Sequence, residues 1–129
     1  MLNHIIWFKK NLRVLDNATL LNSDYPKILI YIIEPQLWAQ KDMSLRQWEF
    51  TFESLKDLQN DLSSINLHLN IFSGDALEIF KEIHNKYGIK KVSSEQETGI
   101  NWTYQRDIKV KQFFTSEKIT WQEAPHIGV

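Results

Sequence analysis

Apolar and polar residues follow one another along the chain in blocks that predict strands. Residues 4–8 and 27–33 are short continuous apolar runs, rich in β-branched and aromatic side chains. Such runs are typical of strands that are covered on both faces in a parallel sheet. Residues 67–72 alternate apolar with polar side chains, which predicts a strand at a sheet edge with one less-covered face. Weaker strands are predicted at residues 90–94 and 119–121.

Helical spacing of apolar residues marks segments between these strands. Ser44 and Gln47 stand at the spacing of a capping box and predict the start of a long helix. The core face of that helix is predicted to hold Leu45, Trp48, Phe52, Leu55, Leu62 and Ile65. Asp75 and Glu78 predict a second capping box, for a helix that closes at Gly88. Its predicted core face comprises Ala76, Phe80, Ile83 and Tyr87.

Two further helices complete the predicted fold. Asp16 is expected to cap a helix at residues 16–22, and a polar turn leads into a last helix that ends near Ser116. The segment through Trp38 is predicted to be a loop. Strands and helices that alternate along the whole chain are typical of a parallel sheet with right-handed crossovers. We therefore predict one domain, residues 1–129, with a Rossmann-like three-layer α/β/α fold and a five-stranded parallel sheet of order 3-2-1-4-5.

Composition excludes several classes of protein. With 15 Lys plus Arg against 16 Asp plus Glu, the net charge of −1 gives no general attraction for DNA or for an acidic membrane. The absence of cysteine excludes disulfides and thiolate metal sites and fits a cytoplasmic location. The longest apolar run, residues 28–33, is too short to span a bilayer. The four histidines lack metal-ligand spacing, and the four glycines form neither a dinucleotide-binding nor a Walker motif, so no metal is expected.

The loop after the first strand is the strongest candidate for a binding site. Lys9, Lys10 and Arg13 lie close together in it, directly after the apolar run. In open α/β sheets, ligands bind at the carboxyl ends of the strands, beside the point where the strand order reverses. We therefore expect the basic loop to border a ligand crevice.

The same loop resembles the opening signature of the DNA photolyase and cryptochrome family. In that family a strand ending in Trp-Phe-Arg is followed by a variable residue, Asp-Leu-Arg and, further on, Asp-Asn. The residues that this chain shares with the signature are Trp7, Phe8, Leu12, Arg13, Asp16 and Asn17. Lys9 and Asn11 stand where the family usually has arginine and aspartate. Residues 46–55, 97–107 and 125–129 are also similar to family segments, so the resemblance covers essentially the whole chain.

The resemblance implies that the chain is the light-harvesting, antenna-pigment domain of a photolyase-like flavoprotein. Such domains help to hold a methenyltetrahydrofolate or a deazaflavin or flavin, which absorbs near-ultraviolet or blue light and passes the excitation to FAD. In the family a larger C-terminal helical domain, absent from these residues, binds FAD and damaged DNA. We therefore expect no catalysis by this domain alone, and a longer parent chain that is a deoxyribodipyrimidine photo-lyase and repairs pyrimidine dimers with light.

The pigment is expected to lie at the carboxyl edge of the sheet. The residues predicted to line its site are Phe8, Lys9, Lys10, Asn11, Arg13, Glu34, Trp38 and Glu97. Purely structural roles are the alternative for these residues. Phe8 would then belong to the core, the basic residues would form a solvated surface loop or an ion-pair network with Asp16, and Glu34 would be an ordinary loop residue. Arg106 and Asp107 are expected to be structural and to pin the last helix to a neighbouring loop.

Three other functions fit the same sequence. In the first, the parent chain is a cryptochrome-type photoreceptor instead of a repair enzyme. Alternatively, the domain is a nucleotide-binding α/β signalling domain, in which the basic loop holds adenosine phosphates. In the third case the domain contributes only interaction surface and binds no pigment. Stabilisation by ATP alone would favour the nucleotide-binding function.

Overall fold

The structure is a computed structural model that describes residues 3–10, 12, 27–97 and 99–124. It contains nine elements within these ranges. In chain order they are β1 (Asn3–Phe8), β2 (Lys27–Ile33), α1 (Pro35–Trp38), α2 (Leu45–Ser64), β3 (Leu69–Ser73), α3 (Ala76–Tyr87), β4 (Ile89–Glu95), α4 (Asn101–Ser116) and β5 (Thr120–Ala124). The predicted helix at residues 16–22, with its cap Asp16, lies outside the described residues.

The strands form one five-stranded sheet with the order β3-β2-β1-β4-β5, and all four neighbouring pairs are parallel. This confirms the predicted architecture, including β3 at an edge. Strand β1 lies at the centre, with β2 on one side and β4 on the other. The chain proceeds from β1 to β2 and β3 on one side and then crosses back to β4 and β5 on the other. The strand order therefore reverses beside β1, and the carboxyl ends of β1, β2 and β4 border a natural crevice.

Local capping signals set the ends of the helices as predicted. Ser44 accepts a hydrogen bond from the Gln47 backbone, and the Gln47 side chain accepts one from the Ser44 backbone, which makes a complete capping box. Asp75 caps α3 by accepting from the Glu78 backbone at 3.1 Å, but the Glu78 side chain pairs with Lys81 and gives no reciprocal bond in the described ranges, so only half of the predicted second capping box is present. Gly88 ends α3 with a φ of 76°, a conformation that favours glycine.

Alternate residues of β1 feed two separate cores, one on each face of the sheet. On one face, Ile5 and Trp7 pack against α3 and α4; this core also contains Phe80 and Phe114. On the other face, the core contains Ile6, Phe8, Leu12, Leu29, Tyr31, Leu55, Leu58, Leu62 and Leu69. The three-layer arrangement therefore follows from central strands whose side chains point alternately to the two faces and are buried on both.

Three residues of the predicted α2 core face are exposed, so that part of the prediction is wrong. Leu45, Phe52 and Ile65 are 72%, 49% and 49% exposed. The 20 residues of α2 span about 30 Å, whereas the seven residues of β2 span about 23 Å, so the ends of the helix pass beyond the strand. Tyr87, the last residue of α3, is also exposed, so the predicted core face of that helix is wrong at this position. The predicted loop through Trp38 instead begins with one helical turn, α1.

Candidate functional site

A cavity of about 400 Å³ opens at the carboxyl edge of the sheet, beside the end of β1. One wall is the amino-terminal half of α2 with the turn before it, and the opposite wall is the start of α4 with the loop before it. Helix α1 closes a third side. The lining residues are Trp7, Phe8, Lys9, Lys10, Tyr31, Ile32, Glu34, Leu37, Trp38, Met43, Arg46, Gln47, Phe50, Thr51, Glu97, Gly99, Ile100, Thr103 and Arg106.

The inner end of the cavity is built around the Arg106 guanidinium, whose side chain is only 6% exposed. Its Nη1 donates to Oε1 of Glu34 at 2.5 Å, and its Nη2 donates to Oε1 of Glu97. Its Nε donates to Oδ1 of Asp107 at 2.9 Å. One side chain thereby ties the ends of β2 and β4 to helix α4.

Lys9 is the second buried cation of this cluster. Its Nζ lies 3.1 Å from Oδ2 of Asp107 and 3.4 Å from Oε1 of Glu97. It also lies 4.3 Å from the ring centre of Trp7, and the Arg106 guanidinium lies 5.0 Å from the same ring. Both cations therefore contact the Trp7 ring, a favourable interaction for an aromatic face.

Sheet topology explains why residues so distant in sequence meet here. Lys9 directly follows β1, Glu34 directly follows β2, and Glu97 comes two residues after β4. Because these strands are parallel neighbours, their carboxyl ends share one edge. Arg106 and Asp107 lie in the second turn of α4, which begins at that edge, and so can reach all three strand ends.

Burial changes the proton affinities in the cluster. Removal from water raises the pKa of Glu34 to about 7, although Arg106 and Lys9 act in the opposite direction. Burial also raises the pKa of Tyr31, with a further contribution from the carboxylates of Glu34 and Glu97. Burial lowers the pKa of Arg106, but the nearby carboxylates outweigh this and raise it overall. Arg106 therefore stays charged, and Glu34 is the group that titrates near neutral pH.

Two buried polar atoms on the cavity wall have no hydrogen-bond partner within the described part of the chain. They are Oε2 of Glu34 and Nε1 of Trp38. Glu34 is 4% exposed, and its other carboxylate oxygen is engaged by Arg106. Most buried polar side-chain atoms in folded proteins are satisfied, so the two atoms stand out.

The structure brings most of the sequence-predicted site residues to this cavity. Phe8, Lys9, Lys10, Glu34, Trp38 and Glu97 all line it, whereas Asn11 and Arg13 lie outside the described residues. Phe8 also belongs to the hydrophobic core, which is the structural role that the sequence analysis gave as its alternative. Lys9 belongs to an ion-pair network, but its partners are Asp107 and Glu97. The role of all these residues in binding remains a prediction.

Sequence reasoning missed several residues on the cavity wall. Arg106 was expected only to pin the last helix; it does so, and it also lines the cavity. The α2 wall, which includes Arg46, Phe50 and Thr51, was missed as well. A signal for it was present, because the capping box at Ser44 starts the helix that follows β2. A helix that follows a parallel strand begins at the carboxyl edge of the sheet.

Metal and membrane sites were also sought in the described ranges. There, no group of three or more His, Cys, Asp or Glu side chains is arranged to hold a metal ion. Among the same residues, no helix has the length and apolarity to cross a membrane.

Comparisons with known proteins agree with this fold. The DNA photolyase family profile matches residues 4–126. Cryptochrome-2 of Gallus gallus is 28% identical over 95 residues, which are 71% of this chain and 16% of that protein. A class III photolyase from Agrobacterium tumefaciens superposes with a TM-score of 0.79 at 23% identity, over 97% of this chain and 26% of that one. An archaeal photolyase from Sulfolobus tokodaii superposes with a TM-score of 0.74 at 20% identity, over 96% of this chain and 29% of that one.

The chain therefore spans less than a third of the length of these relatives, between 16% and 29%. At such identities the two solved structures establish a shared α/β fold with the photolyases. The family profile, in contrast, matches nearly every residue from the first strand to the end of the last. This chain belongs to the DNA photolyase family, as a photolyase/cryptochrome α/β domain.

Proposed function

We propose that this chain is the antenna-pigment domain of a light-driven flavoprotein and that the cavity at the end of β1 holds the pigment. The cavity itself carries this proposal. Its volume of about 400 Å³ lies within the range of small-molecule sites, about 300–1,000 Å³. Aromatic walls with a few fixed polar groups suit a flat heteroaromatic ring.

The proposed pigment is a folate such as methenyltetrahydrofolate, or a flavin or deazaflavin. When bound, such a pigment absorbs near-ultraviolet or blue light and passes the excitation to FAD. The residues of this chain exclude water from it and orient it, with Trp7 and Trp38 inside the cavity and Phe50 at its wall. The S. tokodaii structure is described with two FAD molecules and the implication of a novel light-harvesting cofactor, which supports a flavin in this class of protein.

Charge disfavours a phosphate group at the inner end of the cavity. Three carboxylates, from Glu34, Glu97 and Asp107, surround the two cations Lys9 and Arg106 at the inner end of the cavity. Both cations are already paired, so a phosphate group placed there would meet excess negative charge. A neutral aromatic ring is the better occupant of this end.

The activity of the whole protein belongs to a longer chain. Since this chain spans 16–29% of its relatives, we propose that FAD binding and contact with damaged DNA reside in a separate helical domain of the parent. That parent is proposed to repair pyrimidine dimers with light, or else to act as a cryptochrome-type photoreceptor. The domain alone should leave dimers intact under blue light, and light-dependent repair by these residues would contradict this division.

Pigment binding is tested by titrating the purified chain with FMN, lumiflavin, methenyltetrahydrofolate and ATP, while ligand fluorescence and thermal stability are followed. We expect saturable binding of at least one pigment and none of ATP. Phe50→Ala should weaken that binding by about 5-fold, because an aromatic wall is lost. Phe52→Ala is the matched control: Phe52 lies on the same helix, is exposed and does not line the cavity. Stabilisation by ATP alone would overturn the proposal.

A further inference from the structure

The single turn of helix α1 places two unusual atoms on one wall of the cavity. Glu34 precedes the helix and Trp38 ends it, four residues later. The Trp38 backbone N–H donates to the Glu34 carbonyl at 3.2 Å. Glu34 itself is the extended residue before the helix, with φ of −105° and ψ of 97°. Both side chains line the same cavity.

The two atoms have complementary hydrogen-bonding chemistry. An ionised carboxylate oxygen only accepts hydrogen bonds, and the indole nitrogen of tryptophan only donates them. Oε2 of Glu34 and Nε1 of Trp38 are both buried without a partner in the ranges that the structure describes. They do not satisfy each other, and the remaining oxygen of Glu34 is held by Arg106. The wall thus presents one acceptor and one donor to the same cavity.

We propose that the Glu34–Trp38 turn recognises the edge of a planar heteroaromatic ring that carries an N–H donor beside a hydrogen-bond acceptor. This inference rests on the proposed function and specifies which edge of the ligand enters the cavity. The N–H of the ring donates to Oε2 of Glu34, and the adjacent carbonyl oxygen or ring nitrogen accepts from Nε1 of Trp38. Both buried atoms are then satisfied by the ligand, which is the arrangement that folded proteins favour.

Arrangement of charge across the cavity supports the same orientation. At the inner end, three carboxylates surround the two cations Lys9 and Arg106 and outnumber them. Arg46 lies on the α2 wall and is exposed. A ligand with a hydrogen-bond-donating ring edge and an anionic tail therefore fits with its ring edge inward and its tail towards Arg46. Opposite orientation would bring the anionic tail against two buried carboxylates.

Two kinds of ring carry this edge: the lactam of a flavin or pterin and the amidine edge of adenine. The experiment therefore uses lumiflavin with its N3-methyl derivative, and 9-methyladenine with its N6,N6-dimethyl derivative. Methylation removes the N–H donor and leaves the rest of the ring unchanged. We expect lumiflavin to bind wild-type protein about 10-fold or more tightly than its methylated form, the loss expected for a hydrogen bond to a charged group.

The protein side of the test is Glu34→Gln. Glutamine keeps an oxygen that accepts from Arg106 and replaces the free acceptor with an NH₂ donor. We expect about 10-fold weaker binding of lumiflavin, and a much smaller penalty for methylation in the variant, because the two changes remove the same contact. Trp38→Phe should weaken binding by about 5-fold. Trp48→Phe is its control, since Trp48 packs on Trp38 at 5.1 Å between ring centres but does not line the cavity.

The outcomes separate the two proposals. Tight lumiflavin binding that is insensitive to methylation and to Glu34→Gln would overturn this inference and leave the pigment site standing. Binding of 9-methyladenine alone, with loss on dimethylation, would support the edge recognition and overturn the pigment function. No binding of any of these rings would overturn both. The comparison of methylated with unmethylated ligands uses wild-type protein, so the inference can be tested even if a variant fails to fold.

Discussion

The two faces of the sheet use aromatic residues in different ways. On the α3/α4 face, rings interlock edge to face: Phe80 lies 4.9 Å from Trp7 and 5.0 Å from Phe114, and all three rings are at most 2% exposed. On the α2 face, only the later turns of the helix are buried, through leucines, while Phe50 is 74% exposed at the cavity wall. Trp38, whose indole nitrogen lacks a partner in the described ranges, also lines that cavity.

This difference between the two faces follows from the lengths of the helices relative to the strands. Helix α3 has 12 residues and spans about 18 Å, shorter than the strands beneath it. Helix α2 is longer than any strand, so its first turns pass the carboxyl edge and form a wall without a sheet behind it. The α3/α4 face is therefore mainly a packed core, whereas the α2 face extends beyond the sheet and, together with the start of α4, lines the crevice. Four measurements, from the largest expected effect to the smallest, test this contrast.

Phe114→Ala should have the largest effect on stability. Phe114 is 1% exposed and contacts Phe80 and Trp121 edge to face. Its removal should cost about 4 kcal/mol of unfolding free energy, because a cavity and lost ring contacts remain. Phe50→Ala, on the other face, should change it by less than about 0.5 kcal/mol. Urea unfolding checks both, and equal costs for the two variants would erase the contrast between the faces.

Arg106→Met should cost about 3 kcal/mol, because it leaves buried carboxylates without their cation. Glu34 and Glu97 have side chains that are 5% and 6% exposed and cannot regain full hydration. Arg46→Met is the matched control, since Arg46 also lines the cavity but is exposed, and we expect a change below about 0.5 kcal/mol. An Arg106→Met variant as stable as wild type would show that the cluster does not hold the strand ends together.

Stability against pH should reveal two buried groups with opposite effects. Burial, with Lys91 and Lys27 nearby, lowers the pKa of His4 to about 4, so the stability it supports above pH 6.5 is lost as pH falls towards 4. Burial is the main cause that raises the pKa of Glu34 to about 7, so the folded chain binds a proton at Glu34 more readily than the unfolded chain does. The free energy of unfolding therefore rises as pH falls from 7 towards 4.5.

Between pH 7 and pH 5 the two effects have opposite signs, so they offset each other in the wild-type chain. Single variants separate them. His4→Gln should make the chain more stable at pH 5 than at pH 7, and Glu34→Gln should make it less stable at pH 5. Urea unfolding at the two pH values measures this. A wild-type-like pH profile in both variants would contradict the assignment of either group.

Gly99→Ala should have the smallest effect, about 1 kcal/mol. A Cβ at this position would lie 2.5 Å from Oγ1 of Thr103, so the rim of the cavity must shift. Adding Thr103→Ala removes that oxygen and should recover part of the loss in thermal stability, although it also removes a 2.8 Å hydrogen bond to the Ile100 carbonyl. Strict additivity of the two changes would show that the rim is not packed as closely as the geometry indicates.

Local patterns predicted the sheet well and the site in part. The run at residues 27–33 became β2 with the same bounds, because a buried strand needs only a continuous apolar stretch between breaks. The face of α2 was predicted wrongly at Leu45 and Phe52, since periodicity shows which side of a helix is apolar but not where the sheet beneath it ends.

Partners that are distant in sequence could not be read from local pattern. Arg106 binds Glu34, 72 residues away, and no local sequence motif around either residue indicates this pairing. Their meeting depends on the strand order, which places the end of β2 and the start of α4 at one edge. The strand exits at Lys9, Glu34 and Glu97 were predictable for that reason, whereas the shape of the wall opposite them required coordinates.

The central claim, that the crevice on the α2 face binds a flat pigment, is tested most directly by nuclear magnetic resonance of the tryptophan indole N–H groups. The Trp38 signal is identified by its disappearance in Trp38→Phe. On addition of lumiflavin we predict a saturable shift of the Trp38 signal, with a much smaller change for Trp121, whose indole nitrogen already donates to Ser94 outside the cavity. Binding of lumiflavin that leaves the Trp38 signal unmoved would contradict the claim.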